Sequence, residues 1–536
     1  MDIDRLRPPG SELLLNTDLR RYHMNVTDLM RRTVEISQKR LCTIHGDRRV
    51  TFGEQWKRGC QLANALIQAG LEPGNRIGVL EDNSIEAADF FLAAAIANLV
   101  RVPLYPRNAR EAHVHMLKHT GCKAVVVSGH YQHELDGILA EIVDLEFVIT
   151  RDEGYEDWLA SFDSTDPMLP IEGDDLYIIR HTGGTTGLPK GVAYTHQRWL
   201  NAGRDWTYGF PPFEPGDHCL HIGPIAHGSG YLYVPVFLTG GCNVLLDHFD
   251  PVETLNLMER ENIAYMFAVP TMLNAMVRIP DANKRDWSKL KVIQISGAPI
   301  SEDTATRAHK TFGNVLHQLY GQTEALPLAT MGPNDWFATV DGSQPLRAAG
   351  RPLPFSELKI LDPETHEPLP IGEDGEIAGR CDGQMLGFWD NPEGTAQRTH
   401  NGMVLTGDIG RLDTNGYLYV VDRKDDMIIS GGFNIHPAEL ENVLASHPAV
   451  IEAAVFGIPS EKWGETPCAH VCIDGSMNVD AEELIALCAD ALGSYKKPGH
   501  IVVSTDSLPK SPVGKLLRKV LREPYWEGHN RRISGN

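Results

Sequence analysis

The 536-residue chain has little that would tie it to a membrane, an oxidising compartment or a polyanion. Its longest apolar stretch, Phe90 to Val100, is about half the ~20 residues a bilayer-spanning helix needs, and reads instead as a core helix. The opening Met1-Asp-Ile-Asp-Arg-Leu-Arg-Pro-Pro-Gly10 lacks the apolar run of a secretory signal, which makes the cytoplasm the default location. Nine cysteines are scattered and odd in number, and the nearest pair, Cys468 and Cys472, has neither the redox nor the zinc CxxC spacing. Reduced, buried thiols follow. Basic charge is short: 49 Lys and Arg against 71 Asp and Glu leave a formal charge of -22, which argues against a nucleic-acid partner because phosphate binding needs clustered cations. A pocket for a small anion needs only a few local basic groups and N–H donors, so such a substrate stays open. His113, His115 and His119 lack the Glu of an HExxH metal site and read as a polar helix face. Low-complexity runs and solenoid repeats are absent, and the length exceeds that of one hydrophobic core, so two or more domains are expected.

What is present is α/β grammar. Between Thr51 and Gly350, helix-like segments such as Gln61 to Gly70 and Ile85 to Asn98 alternate with strand-like ones such as Arg76 to Leu80. The short β-rich runs Ala124 to Ser128, Tyr265 to Val269 and Val292 to Ile295 suit strands buried on both faces. Several end in Gly, Pro or Ser, where ligands gather at strand carboxyl ends. From about Leu353 the texture changes to short strands and turns, which predicts an antiparallel subdomain. The charged segment Asp422-Arg-Lys-Asp-Asp426 then precedes a compact region with helices near Pro437 to His447 and Ala481 to Gly493, and marks the domain boundary.

Three passages carry chemistry. His181-Thr-Gly-Gly-Thr-Thr-Gly-Leu-Pro-Lys-Gly-Val192 follows the strand-like Leu176 to Ile179 and concentrates glycines, hydroxyls and one lysine. Glycine lets the backbone approach a phosphate, N–H groups form an anion nest, and Lys190 supplies charge. Pro189 before Lys190, with no Ser or Thr after it, excludes a Walker A loop; a plain Gly/Thr turn is the alternative. Tyr320-Gly-Gln-Thr-Glu324 joins an aromatic suited to stacking on a base with a carboxylate suited to Mg²⁺. Thr406-Gly-Asp408 offers a carboxylate for ribose hydroxyls.

These passages, in this order with Pro224-Ile-Ala-His227, Ser296-Gly-Ala-Pro299, Asp422 to Glu439 and Ser511-Pro-Val-Gly-Lys515, closely resemble the adenylate-forming superfamily of acyl- and aryl-CoA synthetases, peptide-synthetase adenylation domains and firefly-type luciferases. The resemblance covers nearly the whole chain. It implies a large domain over 1–424, built of stacked α/β subdomains plus an antiparallel β subdomain, and a small mobile α+β domain over 425–536. It further implies that Thr182, Gly183, Gly184, Thr185, Thr186, Gly187 and Lys190 grip the ATP phosphates, that Ala298 and Tyr320 contact the adenine, with Gly297, Pro299 and Gly321 also in the ATP site, and that His227, Gly228, Ala298 and Gly321 border the acid. Thr323 would hold the phosphoryl oxygens, Glu324 magnesium, and Asp408 with Arg423 the ribose. Asp425 matches the hinge, Ser430, Gly431 and Gly432 the passage for the coenzyme A thiol, and Lys515 the lysine bridging the acid's carboxylate and the α-phosphate. One mobile cation there relieves the repulsion between two anions as the transition state forms. His181, Gly183 and Asp422 depart from the commonest family residues, and none of the three removes a catalytic group.

His227 matches the gate beside the carboxylate path, with a hydrogen-bonded core histidine as the alternative. Pro224 to Gly230 carries no Asp to pair with an amino acid's ammonium, which disfavours a peptide-synthetase role. Small residues at Gly228, Gly230, Ala298, Gly321 and Ala325 point to room for a bulky apolar acid, aromatic, alicyclic or fatty. The expected partners are therefore a carboxylic acid, ATP with Mg²⁺, and coenzyme A, with a carrier-protein acceptor as the alternative and a homodimer left open.

Overall fold

The computed structural model describes residues 24–106, 108–182, 189–423, 426, 428–430, 433–460, 462–477, 479–493, 496–510 and 516–527. Thr51 and Glu54 form a capping box, each side chain bonded to the other's backbone N–H, and this starts a helix at Phe52 that runs to Gln68. The apolar pattern alone placed this helix from Gln61; the cap, not the first apolar residue, sets where it begins. Ile85–Ile96 is the expected core helix: nearly all of its residues are buried, and the Ser84 hydroxyl caps it by accepting from the Ala87 amide.

Two large sheets carry the first part of the chain. One is nine-stranded, in the order Arg351–Pro352, Ala325–Met331, Leu316–Gln322, Val292–Ile295, Ile263–Ala268, His218–His221, Cys242–Leu245, Leu41–His45, Arg48–Thr51. From Leu316–Gln322 across to Leu41–His45 its strands run parallel, so their carboxyl ends share one edge. The other is seven-stranded, Gly387–Phe388, Lys190–Thr195, Leu176–Thr182, Val100–Leu104, Arg76–Leu80, Ala124–Ser128, Phe147–Arg151, with the last five parallel. The apolar faces of both sheets share one core with the helices between them, among them Phe91, Trp199, Tyr231 and Phe237.

A third, antiparallel sheet holds Ser356–Leu361, Gly375–Cys381, Met403–Leu412, Thr399–His400 and Leu418–Arg423, as the turn-rich texture predicts. The fourth sheet begins at Ile428–Ser430 and has its own core with the helices Pro437–Ala445 and Ala481–Leu492. This C-terminal unit rests on the helix Pro270–Val277: the Asn274 amide donates to the Ile451 carbonyl at 3.3 Å and Arg278 to the Val450 carbonyl at 3.0 Å. All nine cysteines are buried and free, which agrees with the reduced, buried thiols read from their spacing.

Candidate active site

The parallel edge of the nine-stranded sheet delivers three of the motif turns to one side of the sheet: 222–227 after His218–His221, then, past Ile263–Ala268, 296–299 after Val292–Ile295 and 323–324 after Leu316–Gln322. Backbone groups left unpaired at such ends are what a ligand can use. Gly297, with φ of +90°, turns the chain so that Gly297, Ala298 and Pro299 lie exposed on the rim.

Thr323 and Glu324 form the two-residue tip of a hairpin between Leu316–Gln322 and Ala325–Met331. The Tyr194 hydroxyl, from the strand Lys190–Thr195, donates to the Thr323 carbonyl, and the Met385 amide donates to the Glu324 carbonyl at 2.9 Å. The hairpin is thereby clamped to the strand that follows the phosphate loop. Lys190 opens that strand, exposed, with its ammonium 5.2 Å from the centre of the Phe388 ring. Thr182 stands opposite it as the last residue of Leu176–Thr182.

Tyr320 and Asp408 meet directly: the tyrosine hydroxyl donates to the Asp408 carboxylate at 2.8 Å, and the Gln322 amide donates to the same oxygen at 2.7 Å. Asp408 is buried, and its strand register sets it opposite Arg423. Gln322 is fixed in turn by Arg398, whose guanidinium donates to the Gln322 side chain at 2.9 Å and to the Thr406 carbonyl at 2.8 Å. The Asp408 carboxylate is thus held by two neutral donors in a buried setting.

His227 is half-buried, its ring edge-on to Tyr105 at 5.3 Å between centres. The loop below it is pinned by Asn83, whose amide donates to the carbonyls of His221, Gly223 and Leu246 and whose oxygen accepts from the Ile225 amide at 2.8 Å. One buried asparagine from the loop after Arg76–Leu80 thus ties down the strand end beneath His227.

Residues 30–389 match the family model of AMP-binding enzymes, and residues 439–515 match that of the AMP-binding enzyme C-terminal domain. The chain belongs to the AMP-binding enzyme family, within the adenylate-forming superfamily. Its relatives include a feruloyl-CoA synthase of Amycolatopsis, 33% identical over 487 residues that are 90% of this chain and 95% of that protein. The fatty acid–[acyl-carrier-protein] ligase ScoC of Streptomyces coeruleorubidus is 30% identical over 496 residues, 91% of this chain and 94% of that protein. Among solved structures, ATP-bound MatB from Rhodopseudomonas palustris superposes with a TM-score of 0.84 at 27% identity, covering 95% of this chain and all of that one.

For a family member, the site's chemistry is coherent. Glu324 is 9% exposed, and its carboxylate has no donor or cation among the described residues, which suits a magnesium ion. Gly183 to Gly187, Asp425, Gly431, Gly432 and Lys515 lie outside the described residues; Ser430 is the last residue of its strand and pairs with Phe433. The small residues tell a different story from the one read in sequence. A Cβ at Gly230 would lie 2.2 Å from the Ile225 carbonyl oxygen, one at Gly321 2.6 Å from Leu326, and one at Gly228 3.0 Å from Phe267. The space beside these three glycines is filled by the protein's own atoms, so they are small for packing and do not measure the acid's size.

The histidine segment also differs. His113 is buried, its ring bonded to the Tyr105 carbonyl at 3.0 Å, while His119 lies 3.3 Å from His181 and His115 bonds the Pro189 carbonyl at 3.1 Å. These rings pack against His181 and Pro189, and no metal-holding group occurs among the described residues. Burial, with His119 and His115 adjacent, pushes the His181 pKa down to about 3, so the residue at the head of the loop is neutral. Sequence reading passed over Tyr194, Asn83, Gln322 and Arg398. Gln322 sits inside a motif that was read, but the others arrive from distant strands and carry no local spacing signal.

Proposed function

We propose that the edge gathering Tyr320, Thr323, Glu324 and Asp408 forms an acyl-adenylate and that the acyl group then passes to coenzyme A. The chain is an AMP-forming acid–CoA ligase: acid, ATP and CoA give acyl-CoA, AMP and diphosphate. The observation that carries the site assignment is the direct Tyr320–Asp408 hydrogen bond beside the clamped hairpin, which supports reading the two as neighbours in one nucleotide site. Tyr320, Gly321 and Gly297 to Pro299 receive the adenine, Asp408 and Arg423 the ribose, and the loop from Thr182 to Lys190 with Thr323 the phosphates. Glu324 would hold magnesium, which neutralises phosphate charge when bound. His227 stands where the acid's carboxylate enters, and Lys515 bridges that carboxylate and the α-phosphate.

The division at 424/425, with Asp425 as hinge, lets the small unit withdraw Lys515 and bring Ser430, Gly431 and Gly432 to the site for the thiol. The acid is aromatic, alicyclic or fatty; the feruloyl and fatty substrates named for the relatives support an acid with a largely apolar body. The enzyme works in the cytoplasm; no helix among the described residues is long and apolar enough to cross a membrane. A carrier protein is the second reading for the acceptor, carried by the likeness to ScoC. Aromatic, alicyclic, fatty and dicarboxylic acids, each with ATP and Mg²⁺ and scored for AMP with and without CoA, test the reading. AMP release that CoA accelerates is expected; release indifferent to CoA but accelerated by an acyl carrier protein would transfer the assignment to carrier loading.

A further inference from the structure

Two buried arginines beneath this site have no part in the chemistry above. Arg101 in Val100–Leu104 and Arg180 in Leu176–Thr182 are 2% and 1% exposed. Arg101 pairs in register with Ile178, so Arg101 and Arg180, two residues on, project from the same face of the sheet. Their neighbours are rings: Arg101 lies 3.7 Å from the centre of Phe91 and 4.6 Å from Tyr177, and Arg180 lies 5.0 Å from Tyr231 and 5.8 Å from Trp199.

No carboxylate among the described residues pairs with either one. Nε and Nη2 of Arg101 and Nε and Nη1 of Arg180 are sealed from solvent without a hydrogen-bond partner. Arg58, by contrast, holds the buried Asp89 carboxylate at 2.7 Å. A cation over an aromatic face recovers only part of what burying an unpaired ion costs. Two adjacent guanidiniums repel as well. This balance calls for an anion, and two planar donor forks suit a carboxylate.

The pair is joined to the active site. The phenols of Tyr105, Tyr194 and Tyr231 surround Arg180. Tyr105 is the ring against His227, and the Tyr231 hydroxyl lies 3.5 Å from that of Tyr194, which holds the Thr323 carbonyl. One ring therefore separates Arg180 from the gate, and one tyrosine separates it from the phosphoryl-binding turn.

We infer that Arg180, with Arg101 behind it, receives a second carboxylate at the far end of the acid, so that the substrate is a short dicarboxylic acid with an apolar body. The inference rests on the acid-activating role proposed above. A site whose buried donors match a substrate oxygen strongly rejects the analogue that lacks it, because the donors are then left unpaired.

The test compares acids matched in body, benzoate with 1,4-benzenedicarboxylate and hexanoate with hexanedioate, by acid-dependent AMP release from the full chain. In the wild type, at least one dicarboxylate should exceed its monocarboxylate partner in kcat/KM by about 100-fold. Arg180→Gln and Arg101→Gln should each erase most of that ratio, and Arg180→Lys should keep part of it. Because either variant can fail to fold, the wild type is also heated with each acid alone: the preferred dicarboxylate should raise the melting temperature and its partner should not. Monocarboxylates activated as well as their dicarboxylate partners would overturn the inference and leave acid activation standing. No AMP from any acid, fatty and aromatic monocarboxylates included, would overturn the parent reading and this one with it.

Discussion

The Asp408 carboxylate accepts from Tyr320 and Gln322 in a buried setting, and the proposed reading gives it the ribose. Asp408→Asn exchanges a charged acceptor for an amide that clashes with the Gln322 donor, and it should raise the KM for ATP by about tenfold or more, measured at saturating acid. Glu324→Gln removes the buried carboxylate of the hairpin tip; activity should fall about 100-fold and recover in part at high Mg²⁺, with the metal titration as the readout. Lys515→Ala should lower acid-dependent pyrophosphate exchange by about 1,000-fold while largely sparing thioester formation from a supplied acyl-adenylate; equal loss of both steps would contradict its role. At this scale the sequence offers candidate residues wherever polar groups sit in one short run, as in Tyr320 to Glu324. Arg398 and Tyr194 are not among them, because nothing near them in sequence says that they end beside Gln322 and Thr323.

The hairpin and the 222–230 loop make close contacts at Gly228, Gly230 and Gly321. Gly230→Ala would drive a methyl group into the Ile225 carbonyl oxygen, backbone that cannot rotate away, and should cost about 3 kcal/mol of stability, seen as a lower denaturation midpoint. The element pattern itself was readable: Arg76–Leu80, Ala124–Ser128 and Val292–Ile295 occupy the expected residues, since apolar β-branched runs leave few alternatives. The start of Phe52–Gln68 was missed because a cap of two polar side chains fixed it. The purpose of the glycines was misread for a related reason. A missing Cβ states that space is needed, and only the fold states what fills it.

Across the molecule, burial holds three histidines neutral: His181 and His196 are pushed down to about 3 and His221 to about 4. Unfolded, each would take up a proton near its ordinary value, about 6.5. Between that pH and the folded values the unfolded chain binds more protons, so stability rises with pH and is lost as pH falls below about 6.5. Each histidine adds up to about 1.4 kcal/mol per pH unit, so the unfolding midpoint should drop steeply from pH 6.5 to pH 4, and His196→Gln should flatten the slope. Domain order and the family's two-unit plan were legible because the motifs keep their sequence order. The docking of the C-terminal unit through Arg278 and Asn274 was not, because it joins side chains to bare backbone carbonyls.

The central claim is that the acid is activated as an adenylate. Its most direct measurement incubates the full chain with an accepted acid, ATP, Mg²⁺ and CoA and resolves the nucleotide products against the thioester formed. AMP and diphosphate, each equal in amount to the acyl-CoA and absent when the acid is omitted, are the predicted result. ADP and phosphate in place of AMP would contradict it.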